Sequence, residues 1–414
     1  MIKNIFKLVI FLIGIPILFE SCSKNPIEDF PVEPVPITLT TEQVLLIESE
    51  NTFAFDIFKN VLDNSSESEN IIISPLSISL ALSMTLNGAN GTTREAMIEA
   101  LRINGINPEE INNSYKNLTN ALLNVDKRVN ISIANSVWTE NNFVVKAPFI
   151  NILTNFYNAE SKSFDIADPM APNQINNWIE SKTDGLIKNM IEQLNDNTVM
   201  LLINAIYFKG KWKSQFDEKN SVQESFTKPD GNITEVPMMK QTADFKIYNG
   251  EGFVAAEFPY GQANFVMDVI LPDENNDLIN IMPLLNNNSF NELLSQMNEI
   301  ETNLTFPRFK YGYKKQLKET LTDMGMGIAF SENADLSNIS DIGLLINDVT
   351  HQAFIETNEE GTKAAAATIV DIGLTSMPPQ PFVLLIDHAF LYIIRETSTN
   401  TILFMGMVAD PLAD

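Results

Sequence analysis

From Val44 to Leu62 apolar residues recur at three- and four-residue intervals, the period of a helix with one buried face. Thr40 and Gln43 stand where a capping box would open that helix. Residues 64–70 are polar and predict a loop, and Ile71–Ser74 reads as a short buried strand. Pro75 then suits the first turn of a second helix. Thr92 with Glu95 predicts another capping box, ahead of a helix to Leu101. Helical spacing returns near 108–124, 147–157 and 172–183, with strand signals at 129–138 and 199–208.

The second half changes character. Alternating or β-rich runs occur near 222–227, 253–258, 264–271, 301–307, 344–358, 382–386, 390–395 and 401–408. Helical spacing is confined to 278–285, 289–297 and 314–324. No repeat, heptad seam or glycine-rich phosphate loop is present, and no linker divides residues 40–414. The expectation is an α+β fold in one large domain.

The first 39 residues follow other rules. Lys3 and Lys7 flank an apolar run, Ile5–Phe19, that is short against the roughly 20 residues of a membrane-spanning helix. A basic start, an apolar centre and then Ser21-Cys22 read as a signal peptide over 1–21. The run Leu18-Phe19-Glu20-Ser21-Cys22 resembles a bacterial lipobox, with Phe19 and Glu20 as departures. Cys22 would then take the lipid; the bland alternative is a plain signal peptide with an incidental cysteine. Pro26, Pro31, Pro34 and Pro36 make 22–39 an extended tether without helix. Together these predict a lipid-anchored protein of the bacterial cell envelope, on an outer membrane and facing periplasm or exterior.

Composition narrows the chemistry. The 414 residues carry 27 Lys and Arg against 53 Asp and Glu, a net charge of −26. Removing Lys3, Lys7 and Glu20 with the signal takes this to −27. With no basic cluster, nucleic acid and heparin-like cofactors are poor partners, and contact with a membrane is expected through the lipid alone. Cys22 is the only cysteine, so no internal disulfide exists. The two histidines, His351 and His388, are too few for a His-rich metal site or an ordinary Ser-His-Asp hydrolase. No cofactor, no metal and no catalytic residue is expected.

One segment runs against its surroundings. Glu359-Glu360-Gly361-Thr362-Lys363-Ala364-Ala365-Ala366-Ala367 begins a stretch that continues to Pro379 between two β-rich segments. Such long connections are usually functional. Read with the strand period of two, Thr362, Ala364, Ala366, Thr368, Val370, Ile372 and Leu374 fall on one face, all small or apolar. Lys363 and Asp371 fall on the other. At about 3.3 Å per residue, thirteen residues would span roughly 43 Å. The segment can therefore be an exposed loop or a strand inserted in a sheet.

At this point the sequence resembles the serpin family. The hinge Glu359-Glu360-Gly361-Thr362 with Ala364, Ala365, Ala366 and Ala367 is similar to the family's reactive-loop hinge. The resemblance extends to Asn70-Ile71-Ile72-Ile73-Ser74-Pro75-Leu76-Ser77, to Asn204 through Trp212, and to Gly325-Met326 with Phe330, Ala334-Asp335-Leu336-Ser337 and Ile339. Asp387-His388-Ala389-Phe390-Leu391 and Ile402-Leu403-Phe404-Met405-Gly406 resemble the C-terminal signature, with Ala389 where the family usually has proline. The resemblance covers about residues 50–411.

It implies about nine helices and three β-sheets, with an exposed reactive centre loop over about 359–381 that can insert into the large central sheet. Ser74, Ser77, Asn204 and His351 would form the shutter cluster between the strands that part, with His351 as a buried hydrogen-bonding group. Trp212 would mark the breach where the loop enters, and His388 would pack or cap. Such proteins are inhibitors, not enzymes. A serine protease, or across classes a cysteine protease, cuts the loop and is trapped as an acyl-enzyme while the loop inserts. About 14 residues separate the hinge glycine from the cut, which places the reactive bond at Thr375–Ser376, with Leu374 as the neighbouring candidate. Thr375 suits elastase-like or subtilisin-like proteases, and no Lys or Arg lies between Lys363 and Arg395 to bait trypsin-like ones. A monomer is expected. The alternative is a non-inhibitory scaffold or binding lipoprotein of the same fold.

Overall fold

The computed structural model describes residues 33–273, 276–359 and 380–413. The expectations for Cys22, Glu360, Gly361, Thr362, Ala364, Ala365, Ala366, Ala367, Leu374, Thr375 and Ser376, and for the signal peptide, lie outside the described residues.

The first helix, Thr41–Asp63, opens on the expected box: Gln43 donates its backbone N–H to Thr40 Oγ1 at 3.3 Å, and Gln43 Oε1 accepts from Thr40 N at 2.8 Å. Pro75 opens the helix Pro75–Leu86, which is buried along almost its whole length. Among the described residues there are nine α-helical segments, seven of them ten residues or longer. Residues 35–39, assigned by sequence to the tether, lie against the domain. Val35 exchanges two hydrogen bonds with the Asn264 side chain, at 3.1 and 2.7 Å, and Ile37 N donates to Ser398 Oγ at 2.9 Å.

The strands form three ladders. A nine-stranded sheet holds the C-terminal pair Phe390–Glu396 and Ile402–Val408, each buried at every position. Tight packing fixes the glycine of the C-terminal motif: a Cβ on Gly406 would run into the Tyr392 ring and the Ile71 carbonyl. A three-stranded ladder runs Glu160–Phe164, Val129–Glu140, Met200–Gly210, and a two-stranded one pairs Phe309–Gln316 with Thr350–Thr357. Met200–Gly210 and Thr350–Thr357 are neighbours, yet no ladder joins them among the described residues. The central sheet is thus split where the two ladders face each other.

Several sequence expectations need correction. The helix expected at 314–324 is a strand to Gln316 followed by the short helix Lys318–Leu321. Its Tyr311, Tyr313 and Lys315 alternate with Lys310, Gly312 and Lys314, and pairing with Thr350–Thr357, far away in sequence, decides the outcome. The β-rich run at 344–358 becomes a strand only from Thr350. The capping box at Thr92 does not form: the helix starts at Gly91, and the neighbouring Thr93 hydroxyl instead accepts from Asp335 N at 2.8 Å. The strands Glu160–Phe164 and Ile233–Asn249 gave no sequence signal of their own.

Candidate functional site

The buried helix Pro75–Leu86 starts directly beneath the split in the central sheet. Its N-cap, Ser74, takes the Ser77 N–H at 3.2 Å on its Oγ and donates that hydroxyl to the Leu403 carbonyl at 2.7 Å. Ser74 N–H donates to His351 Nε2 at 3.0 Å. Ser77 Oγ donates to Asn204 Oδ1, and Asn204 Nδ2 donates to Asn135 Oδ1 at 2.6 Å. Ser74, Ser77, Asn204 and His351 therefore come together, all buried. Asn204 belongs to the three-stranded ladder and His351 to the two-stranded one, so this polar chain crosses the split. Nε2 accepts, so His351 is neutral, and burial pushes its pKa down to about 4.

The sequence reading missed Asn135. Its signal was a polar residue in the apolar series Val129, Ile131, Ile133, Val137 of the alternating run 129–138. Asn135 also donates to the Tyr157 carbonyl at 2.7 Å, which ties the cluster to the helix Ala147–Tyr157.

At the upper end of the split, Trp212 stacks on Tyr260, with ring centroids 4.2 Å apart and planes 12° from parallel. Its indole N–H donates to the Asn358 carbonyl at 3.0 Å, just past the end of Thr350–Thr357. Beside it a cavity of about 140 Å³ opens between the two ladders, lined by Tyr207, Gly210, Phe354 and Thr357 among others. Thr357 Oγ1 is buried there with no hydrogen-bond partner among the described residues.

Glu359 is the one hinge residue the structure describes, and it is clamped. Ser221 Oγ donates to its Oε1 at 2.5 Å and Arg308 Nη2 to its Oε2. Burial pushes its pKa up, but the Ser221 and Arg308 bonds overcome this and hold the carboxyl below its usual range. Neither partner was anticipated; each lies far from Glu359 in sequence. His388 makes two polar contacts. Nδ1 lies 2.9 Å from Asp387 Oδ1 and Nε2 lies 2.9 Å from the Pro272 carbonyl.

Two ladders face each other across a gap bridged by side-chain hydrogen bonds, with an aromatic latch and a charged clamp at one end. Among the described residues no group of His, Cys, Asp and Glu could hold a metal, and no helix is long and apolar enough to cross a membrane.

Comparison with known proteins gives the same architecture a family. The sequence model described as Serpin (serine protease inhibitor) matches residues 48–411. Mouse antithrombin-III is 33% identical over 93% of this chain and 85% of its own. Chicken neuroserpin is 33% identical over 86% of this chain and 89% of its own. An uncharacterised serpin-like protein of Thermococcus kodakarensis is 32% identical over 94% of this chain and 93% of its own. Among solved structures, the native state of the thermophilic serpin tengpin superposes with a TM-score of 0.80 at 31% identity, covering 91% of this chain and 97% of tengpin. Thyroxine-binding globulin in complex with thyroxine gives 0.79 at 28% identity, covering 89% of this chain and all of its own. The chain belongs to the serpin family, and it is a protease inhibitor rather than an enzyme.

Proposed function

We propose that this serpin inhibits elastase-like or subtilisin-like serine proteases as a suicide substrate, with Thr375–Ser376 as the reactive bond. The observation that carries the reading is the split between Met200–Gly210 and Thr350–Thr357, with a buried polar chain under it and the hinge starting from its upper end. A strand arriving from that hinge finds two backbone edges that no ladder joins among the described residues. The small inward series of Thr362, Ala364, Ala366 and Thr368 presents little steric bulk to oppose its entry. Capture depends on kinetics: insertion must outrun hydrolysis of the acyl-enzyme. Ser74, Ser77, Asn204 and His351 act as the shutter, exchanging partners as the ladders separate. Trp212 guards the entry. The protein works as a monomer, held at a bacterial outer membrane by a lipid on Cys22.

Titration with pancreatic elastase and with trypsin tests this. The expected outcome is an elastase complex that survives boiling in detergent, a new N-terminus at Ser376, and no complex with trypsin. Cleavage of every molecule without a covalent complex would overturn the inhibitory reading. Thr362→Arg is expected to turn inhibitor into substrate, because insertion would bury an unpaired charge. The anchor is checked separately, by mass spectrometry of the mature N-terminus for an acylated Cys22.

A further inference from the structure

The strands Phe382–Leu385, Asn298–Pro307 and Ile233–Asn249 lie side by side at one edge of the nine-stranded sheet, with Phe382–Leu385 outermost. Their inward positions Leu384, Leu304 and Phe306 are buried. The outward positions form rungs across the three strands. Val383 pairs with Asn303 and through it with Thr242; Leu385 pairs with Thr305 and through it with Lys240. Val383 is 70% exposed and Leu385 42%, so the outermost strand leaves two aliphatic side chains in water.

One rung closer to Asn298 the pairing is Glu301 with Asp244, and the next is Glu299 with Lys246, all four exposed. Like charges placed directly opposite destabilise a sheet. Among the described residues no ion pair relieves Glu301 or Asp244. The cations of this face are engaged elsewhere: Lys246 Nζ lies 2.8 Å from Glu257 Oε1, and Lys240 Nζ lies 2.5 Å from Glu224 Oε1. Folding alone gives no reason for the Glu301–Asp244 rung.

The loop decides what meets this face. Phe382–Leu385 runs parallel to Asn298–Pro307, so the chain reaches Phe382 from the Asn298 end, where the acidic rungs lie. The inference rests on the proposed reactive bond, Thr375–Ser376. From Ser376 to Phe382 is six residues, at most about 21 Å, whereas from Thr375 back to Glu359 is sixteen, up to about 56 Å. A protease domain of about 200 residues is roughly 40 Å across. With the bond in its active site, the short arm of the loop holds such a protease against this face.

We propose that the outward face of Phe382–Leu385, Asn298–Pro307 and the adjoining part of Ile233–Asn249 is a second contact surface for the captured protease. It selects an elastase-like enzyme with cations and an apolar strip beside its cleft, on the side that takes the residues after the cut bond. Val383 and Leu385 meet the apolar strip, and Asp244, Glu299 and Glu301 meet the cations. The charges act on encounter and raise the association rate; loop cleavage and insertion are left as they were.

Pancreatic elastase, a cationic enzyme, tests this against the full chain. Association with the wild type should slow about tenfold or more as salt rises from about 20 to 500 mM. The triple variant Asp244→Asn, Glu299→Gln, Glu301→Gln should associate about tenfold more slowly at low salt and lose most of that salt dependence. The number of inhibitor molecules consumed per protease trapped should not change. Its thermal melt should be no lower than that of the wild type, since a repulsive pair has been removed. The double variant Val383→Thr, Leu385→Thr should keep the salt dependence. It should weaken binding of an elastase whose nucleophilic serine is replaced by alanine about threefold to tenfold. An unchanged rate and salt slope in the triple variant would overturn the contact surface. The inert elastase needs no trapping, so salt-sensitive and variant-sensitive binding without a covalent complex would overturn the suicide mechanism alone. Covalent complexes formed equally fast by the wild type and both variants would overturn the contact surface alone.

Discussion

The nine-stranded sheet and the split central sheet are built from similar strands but stabilised differently. In the first, Phe390–Glu396 and Ile402–Val408 are buried at every position, and the charges inside are locked in place. Arg395 donates to Asp268 Oδ2 at 2.7 Å and to Glu257 Oε2 at 2.5 Å, all three nearly inaccessible. In the second, the two ladders meet through neutral Ser, Asn and His side chains that hold one another by hydrogen bonds. A buried ion pair is hard to part because each partner would be left charged in a poor solvent. A neutral hydrogen bond is worth about 1 kcal/mol net and can be exchanged for another. One sheet is therefore a scaffold, and the other is able to change its partners.

Removing the scaffold's cation should have the largest effect. Arg395→Met leaves Asp268 buried without a cationic partner and Glu257 with Lys246 alone, at 2.8 Å, and should cost about 3–5 kcal/mol. Thermal melts should show similar losses for the intact and the loop-cleaved protein, since this sheet is the same in both. A loss confined to the intact form would break the distinction between scaffold and moving sheet.

His351, in the polar chain across the split, should come next, and its effect depends on pH. Unfolded His351 takes a proton near pH 6.5, but folded His351 waits until about pH 4. Between those values the unfolded chain binds more protons, so acidification destabilises the fold by about 1.4 kcal/mol per pH unit from this group, about 3 kcal/mol in all. Glu50 works in the opposite sense: its raised value, about 7, makes stability fall as pH rises from about 4.5 to 7. Denaturant melts from pH 4 to 7 should therefore show His351→Gln losing less stability on acidification than the wild type. Parallel curves would mean that His351 does not titrate with folding.

Trp212→Phe should have the smallest effect. It removes the bond to the Asn358 carbonyl but keeps an aromatic ring on Tyr260, a loss of about 0.5–1.5 kcal/mol. Stopped-flow fluorescence of a loop-labelled protein should show faster insertion after cleavage, because the latch holds only the closed sheet. Slower insertion would place Trp212 among the groups that help the loop enter.

Much of this was legible along the chain because much of it is local. The helix at 147–157 and the strand at 222–227 match the sequence reading to the residue, and the capping box at Thr40 and the proline start at Pro75 form as their spacing requires. The errors fall where partners are remote. Residues 314–316 carry helical spacing but become the end of the strand Phe309–Gln316 because Thr350–Thr357 lies beside it, and Ile233–Asn249 changes its buried face along its length as it passes between neighbours.

The sequence by itself determined an acidic α+β chain, one domain with an unusual loop, and a family whose motifs lie in short runs such as Ile71–Ser77 and Asn204–Trp212. Only the tertiary structure decided that Asn135 joins the buried polar chain through Asn204, that Arg308 and Ser221 clamp Glu359, that Arg395 is balanced by Asp268 and Glu257, and that both nitrogens of His388 face acceptors. The reason is physical. Periodicity and capping act within one or two turns of chain and leave a pattern there, whereas a hydrogen bond or ion pair across 50 to 140 residues leaves no local trace until packing brings its two halves within 3 Å.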